Sequence, residues 1–270
     1  MTFICIFIGL AVTAVAFMFF AAKSGFNRDL KKLFKDSPAL VPQRYHRIDF
    51  KSLPEPVQRY FNHVLPEGRP RISYARLKHR GRFKTAIDKP WSLICGEEYF
   101  TIAKPGFIWR GKTKIFTAID QYISGNGRLK VFLYSVFRVA DNGGVRLSQG
   151  ELLRWLGESV WFPTALLPGQ SLTWEAIDRY HAKLNYRHSE LKISYIVTFN
   201  DAFEIVQIET SRHMGERLET WIGRMSSYKR HEGILIPNTL KATWLLDGKE
   251  FTYAVFYLTE IEYDKPEKYN

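Results

Sequence analysis

The chain has 270 residues, 15% of them aromatic, and a formal charge of +12. That length suits one large domain with a sizeable core, and two cysteines are too few for a disulfide framework or a cysteine-rich metal centre. The basic balance favours an anionic partner, such as nucleic acid, an acidic substrate or an anionic lipid surface.

Residues 2–22 read TFICIFIGLAVTAVAFMFFAA and hold no charged side chain. As a helix, about 21 residues rising 1.5 Å each span about 30 Å, the thickness of the bilayer's hydrocarbon core. No Lys or Arg precedes the run, and it is longer than the apolar part of a signal peptide, so a retained single-pass anchor in the cell membrane is expected. Cys5 lies inside this run and Cys95 in an expected strand, so the two are not expected to pair. The following flank holds Lys23, Arg28, Lys31, Lys32 and Lys35 against Asp29, which predicts a domain on the cytoplasmic side. The same segment could lie flat as a collar with Leu30, Leu33 and Phe34 facing the membrane. Beside such an anchor a lipid surface is the simplest anionic partner, and nucleic acid is not expected.

Residues 36–50 carry prolines and no clean period, which predicts a linker. The division is then an anchor over 1–22, a basic juxtamembrane segment and linker over 23–50, and one β-rich domain over 51–270. Ser52 and Glu55 form a capping-box pattern, and Val57, Tyr60, Phe61 and Val64 follow at helical spacing. A short helix ending before Pro66 is expected.

After Pro70 the apolar period drops to two. Strands are expected near 71–86, 91–103, 106–116, 118–124 and 127–139, separated by Asp88-Lys-Pro90, Pro105-Gly106, Gly125-Asn-Gly127 and Asp141-Asn-Gly-Gly144. A helix is expected at about 148–161. Ser148 and Glu151 suggest its cap, and Leu152, Trp155, Leu156 and Val160 share one face. Strands resume near 172–188, 190–199, 203–212, 218–231, 238–246 and 250–262, with Asp247-Gly248 as a two-residue hairpin signal. The fold class is mainly β (α+β): a curved antiparallel sheet or half-open barrel of about ten or eleven strands, with one central helix and short N-terminal helices.

No nucleophile elbow, zinc-protease helix, C-x-x-C pair or phosphate loop is present. The seven histidines show no metal-type spacing. No cofactor and no metal site are expected.

Three features could carry function. Arg76, Lys78, Arg80, Arg82 and Lys84 alternate along one strand, which sets five cations on one sheet face. This is either a solvated outer face or a contact for an anionic surface. Glu151, Arg154 and Glu158 can sit side by side on the helix. They are either ordinary surface ion pairs or, in an enzyme, a general acid/base group. Residues 160–168, VWFPTALLP, are nearly all apolar and bracketed by prolines. They form either a core plug or a lid over an apolar cavity. In the lid reading Trp155, Trp161, Phe162, Pro163, Leu166 and Leu167 contact the ligand.

The run from Gln149 to Pro168, QGELLRWLGESVWFPTALLP, resembles the signature of an uncharacterised bacterial domain family. The resemblance extends from LPEPVQRYF at Leu53 through Tyr228 and Gly233-Ile-Leu-Ile-Pro237 to the C-terminal strands. It implies membership of that family and no particular activity. At fold level the strands-helix-strands order is similar to lipoprotein carriers of the LolA and LolB kind, which hold acyl chains in a half-open barrel with helical lids. Those carriers work outside the cytoplasmic membrane, whereas the basic flank points inside, and a retained anchor fits a tethered domain and not a diffusing shuttle. The leading expectation is a membrane-tethered domain that binds a lipid or other apolar small molecule. The alternatives are a hydrolase-type enzyme using Glu151, Arg154 and Glu158, and a structural or partner-binding membrane protein. Oligomeric state is not legible in the sequence.

Overall fold

In a computed structural model the backbone is described for residues 2–41 and 43–270, with side chains at 13, 18 and 20 and from 22 onward apart from residue 42. Among the described residues no helix is long and apolar enough to cross a membrane. The anchor expected over 2–22 rests largely on side chains outside the described residues.

The chain begins with one continuous helix, α1 (Thr2–Asp36), followed by a 3-10 turn at Arg47–Phe50 and by α2 (Glu55–Val64). Six strands come next: β1 (Tyr74–Phe83), β2 (Ser92–Thr101), β3 (Gly106–Lys112), β4 (Phe116–Ile123), β5 (Asn126–Leu133) and β6 (Phe137–Gly143). The central helix α3 (Val145–Glu158) and two short 3-10 turns lead to seven more. These are β7 (Leu172–Ala176), β8 (His181–His188), β9 (Leu191–Phe199), β10 (Ile205–Met214), β11 (Arg217–His231), β12 (Ile234–Leu246) and β13 (Lys249–Tyr263).

All thirteen strands form a single sheet in the order β6-β5-β4-β3-β2-β1-β13-β12-β11-β10-β9-β8-β7. Every pairing is antiparallel. Two meanders are thus joined through the β1–β13 pair, and α3 links the two edge strands. The helix lies across the inner face and packs on β3, β4 and β5 from one half and on β9 and β10 from the other. This is how a sheet of this width closes on itself without sealing its edges.

The strand count exceeds the expected ten or eleven because two long apolar runs are hairpins. Residues 127–139 divide at Tyr134 and Ser135, both with positive φ, and 172–188 divide at a turn where Asp178 accepts the amides of Tyr180 and His181 at 2.8 and 2.9 Å. Non-glycine turn residues left no signal at the first site. The Asp247-Gly248 turn is as expected: both residues have positive φ, and Leu246 pairs with Lys249. Of the stretch read as a turn, Asp141–Gly143 instead extends β6, where Lys130 pairs with Asp141.

Neither capping box forms. α2 has Pro54 at its N-cap with no side-chain bond. α3 starts earlier than expected, with Gly144 as its N-cap. Ser148 Oγ accepts the amide of Gly127 at 2.9 Å, and Glu151 turns into the core. Helix α2 lays Val57, Tyr60, Phe61 and Val64 over one end of the sheet, where Tyr60 meets Phe199 and Phe61 meets Trp174.

The expected collar and linker also differ. Phe26, Leu30 and Leu33 of α1 are buried against Tyr99, Ile108, Ile119, Ile123 and Phe132 on the outer face of the sheet. Lys130 Nζ bonds Asp29 at 2.8 Å, and Ser124 Oγ donates to Asp36 at 2.5 Å. Beyond the helix, Leu40 N donates to Ser73 Oγ, and Tyr45 N to Arg69 O. A helix face with leucines at i, i+3 looks the same whether it meets lipid or a sheet; here the sheet takes it.

Candidate functional site

Inside the curl, between the two halves of the sheet and α3, lies an apolar chamber of about 360 Å³. Phe83, Ile94, Phe116, Ala118, Leu129 and Val131 wall it from one half, and Trp221, Leu240, Ala242, Tyr253, Ala254 and Phe256 from the other. Its volume falls within the ~300–1,000 Å³ range of small-molecule sites. Phe83, Thr85 and Phe116 lie at the strand ends beside the 84–91 and 113–115 turns. The opposite end is filled by α2 and the segment after α3.

The floor is charged. Arg154, from α3, sends Nη1 to Asp120 Oδ2 at 2.8 Å, Nη2 to Glu98 Oε1 at 2.9 Å and Nε to Glu158 Oε1 at 3.0 Å. Its guanidinium also lies 4.8 Å from the centre of the Trp109 ring and 4.9 Å from that of Phe107. Cross-strand register builds this row, because Glu98 faces Trp109 across β2–β3 and Trp109 faces Asp120 across β3–β4. Arg212, from β10, reaches Glu151 at 3.5 Å. Asp120, Arg154, Glu158 and Arg212 all line the chamber.

Burial raises the carboxyl pKa of Glu98 well above the glutamate range, against the pull of Arg154, and Glu158 is raised for the same reason. Burial raises Glu151 likewise, and neighbouring Asp120 adds to it. Neighbouring Glu158 and Asp120 add to the rise at Glu98. For Arg154, burial favours loss of the proton, but Glu158, Glu98, Asp120 and Glu151 reverse this and hold the guanidinium charged.

Above the row, Trp109 Nε1 donates to His79 Nε2 at 2.7 Å, with the two ring planes 5° apart. Burial, then Arg154, lowers the His79 pKa to about 3, so the ring is neutral. The contact passes over β2 at Gly96, where a Cβ would sit 2.3 Å from His79 Nε2 and 2.8 Å from Trp109 Nε1. Glycine here is what lets β1 and β3 side chains meet across an intervening strand.

The row expected on the α3 surface is therefore an interior one: Glu151 and Glu158 are 2% and 6% exposed. The reason is the curl, which brings acids and bases from four strands against the helix. Sequence reasoning missed Glu98, Asp120, His79, Trp109 and Arg212. The signal was present, since Glu98 shares phase with Ile94 and Phe100, and Asp120 with Phe116, Ala118 and Tyr122. An acid in the apolar phase of a strand marks a buried, partnered group.

The six residues expected to touch ligand take another place. Trp155, Trp161, Phe162, Pro163, Leu166 and Leu167 are packed in the core and none lines the chamber. Trp155 Nε1 donates to Thr101 O and Trp161 Nε1 to Pro237 O, both at 3.0 Å, and Tyr263 OH donates to Trp161 O at 2.7 Å. The segment closes the α2 end, away from the chamber.

The five-cation face is also smaller than expected. β13 brings Glu262 opposite Arg76 and Glu260 opposite Lys78. Arg76 Nε bonds Glu262 at 2.7 Å, and Lys78 Nζ bonds Glu260 at 2.9 Å. Arg82 and Lys84 lie over Trp91, and Arg80 is exposed. Among the described residues no group of three or more His, Cys, Asp or Glu is placed to hold a metal ion.

The sequence matches DUF6544, described as a family of unknown function, over residues 43–256. No curated protein matches it. Among solved structures it is similar to a domain from Vibrio parahaemolyticus whose description ties it to outer-membrane lipoprotein sorting (9% identity, 79% of this chain and 93% of that one, TM-score 0.44). It is also similar to a LolA superfamily protein from Nitrosomonas europaea (14% identity, 77% and 91%, TM-score 0.43). A DUF1329 family protein from Desulfovibrio piger is a third (9% identity, 82% and 94%, TM-score 0.43).

Proposed function

The chain belongs to the DUF6544 family, and on that premise we propose that it is a membrane-tethered binding domain for a lipid or another molecule with an apolar chain, held in the chamber. The observation that carries this reading is the chamber itself, with aromatic and aliphatic walls from both halves of the sheet and a few convergent polar groups at one end. Apolar walls supply affinity at about 0.8 kcal/mol per buried methylene, and the floor fixes which end of the ligand points inward.

The uncharged run over 2–22 is the tether in this proposal, and the basic flank favours a domain on the cytoplasmic side. The charged row acts as a neutralised floor and not as hydrolytic machinery, because Arg154 holds three carboxyls at once. Extraction of the intact chain in detergent, followed by mass spectrometry of what stays bound, tests the reading. A lipid set no different from that of an unrelated membrane protein overturns it.

A further inference from the structure

The chamber mouth and the exit point of α1 lie at the same end of the sheet. Helix α1 runs alongside β4. Asp36 meets Ser124 at the far end of β4, Asp29 meets Lys130 midway, and Ala22 shares a groove with Lys112, Thr117 and Ser135 at the near end. Strand β4 advances about 3.4 Å per residue and the helix 1.5 Å, so both cover about 20–25 Å between these points. The near end is where the turns 84–91, 113–115 and 134–136 lie, and where Phe83, Thr85 and Phe116 edge the chamber. Because α1 is continuous from Thr2, about twenty of its residues extend past this rim, or about 30 Å, one hydrocarbon thickness. The uncharged run thus ends at the level of the mouth.

The rim itself has the chemistry of a bilayer contact. Its exposed side chains include Ile87, Ile115 and Tyr134. Exposed large apolar groups at turn tips have no partner within the fold. Lys84, Lys112 and Lys114 stand among them, the pairing of apolar tips and basic groups that suits anionic headgroups. Asp88 in the same rim is paired with Lys89 at 3.0 Å.

We propose that the hairpin rim rests on the bilayer that holds α1, with these tips at headgroup depth, so that ligand passes between leaflet and chamber without crossing water. The entry route rests on the chamber reading above; the docking does not. It also holds for either side of the membrane.

The test uses the full chain in nanodiscs of phosphatidylcholine and phosphatidylglycerol, with Cys5→Ser and Cys95→Ser. Nitroxides are attached singly at Ile115→Cys, Ile87→Cys and, as the far-end reference, Asp201→Cys. Ile115 and Ile87 are 56% and 61% exposed, so labelling leaves the core intact. Collision with oxygen and with a water-soluble nickel chelate reads depth. Docking predicts oxygen-dominated collision at 115 and 87 and nickel-dominated collision at 201. Nickel-dominated collision at all three overturns it, whatever the chamber holds. Bound lipid measured on the same samples reports on the chamber reading separately.

Discussion

Replacing Arg154 by methionine removes the one cation that Glu98, Asp120 and Glu158 share. The methionine stem keeps part of the packing on Phe107 and Trp109, so the change is mainly one of charge. The guanidinium is 14% exposed and Glu98 only 1%, so water cannot take over the lost bonds. Breaking such a buried pair from one side costs about 3–5 kcal/mol. For a chain of this size that is a fall of roughly 6–20 °C in melting temperature. Relief comes from protonation: with Arg154 gone, the remaining carboxyls take up protons, and each unit of pKa shift is about 1.4 kcal/mol. The deficit should therefore be largest near pH 8 and shrink toward pH 5. Adding Glu98→Gln and Glu158→Gln to Arg154→Met should restore most of the loss, because no buried charge is then left alone. Thermal unfolding of the detergent-solubilised chain, followed by tryptophan fluorescence at both pH values, reads all of this. A loss under about 1 kcal/mol that is independent of pH would refute the account of the floor as one charge-coupled unit.

Other consequences follow from the same geometry. Because burial raises the Glu158 pKa, the proton it holds stabilises the fold at low pH, and that contribution is lost as pH rises from the usual glutamate value through the raised one. Glu158→Gln should thus gain stability relative to the native chain between pH 5 and pH 8, and denaturant midpoints at the two pH values check the sign. Phe162→Ala should cost about 3–5 kcal/mol while leaving the bound lipids unchanged, since Phe162 is core and not chamber wall; a changed lipid profile in an intact fold would return the lid reading. Ala118→Phe with Ala242→Phe should shorten the longest chain retained, each displaced methylene costing about fourfold in affinity, as measured by mass spectrometry of extracts. Gly96→Ala should separate His79 from Trp109 and shift tryptophan emission without emptying the chamber.

Much of the fold is legible because strands announce themselves by period and by turn chemistry. Asp247-Gly248 marks its hairpin, and Val57, Tyr60, Phe61 and Val64 mark the buried face of α2. Tyr134-Ser135 marks nothing, because neither residue advertises a left-handed backbone, and the 127–139 run therefore read as one strand. The site is harder. The α3 row Glu151, Arg154 and Glu158 is visible, but its setting is not, since only the curl of the sheet decides whether a polar stripe faces water or Glu98 and Asp120. The same ambiguity misassigned Leu30 and Leu33, whose spacing fits lipid and sheet alike. Arg76 and Lys78 looked like free surface charge because Glu260 and Glu262, which neutralise them, lie more than 180 residues away.

The central claim is that an apolar chain occupies the space between the two halves of the sheet. Crystals of the full chain loaded with a lipid brominated along its acyl chain test it directly, through the anomalous signal of bromine. The account predicts bromine peaks inside the chamber, between Trp109 and Trp221 and above Arg154. Peaks confined to the rim and the outer face, with the chamber empty, would contradict it.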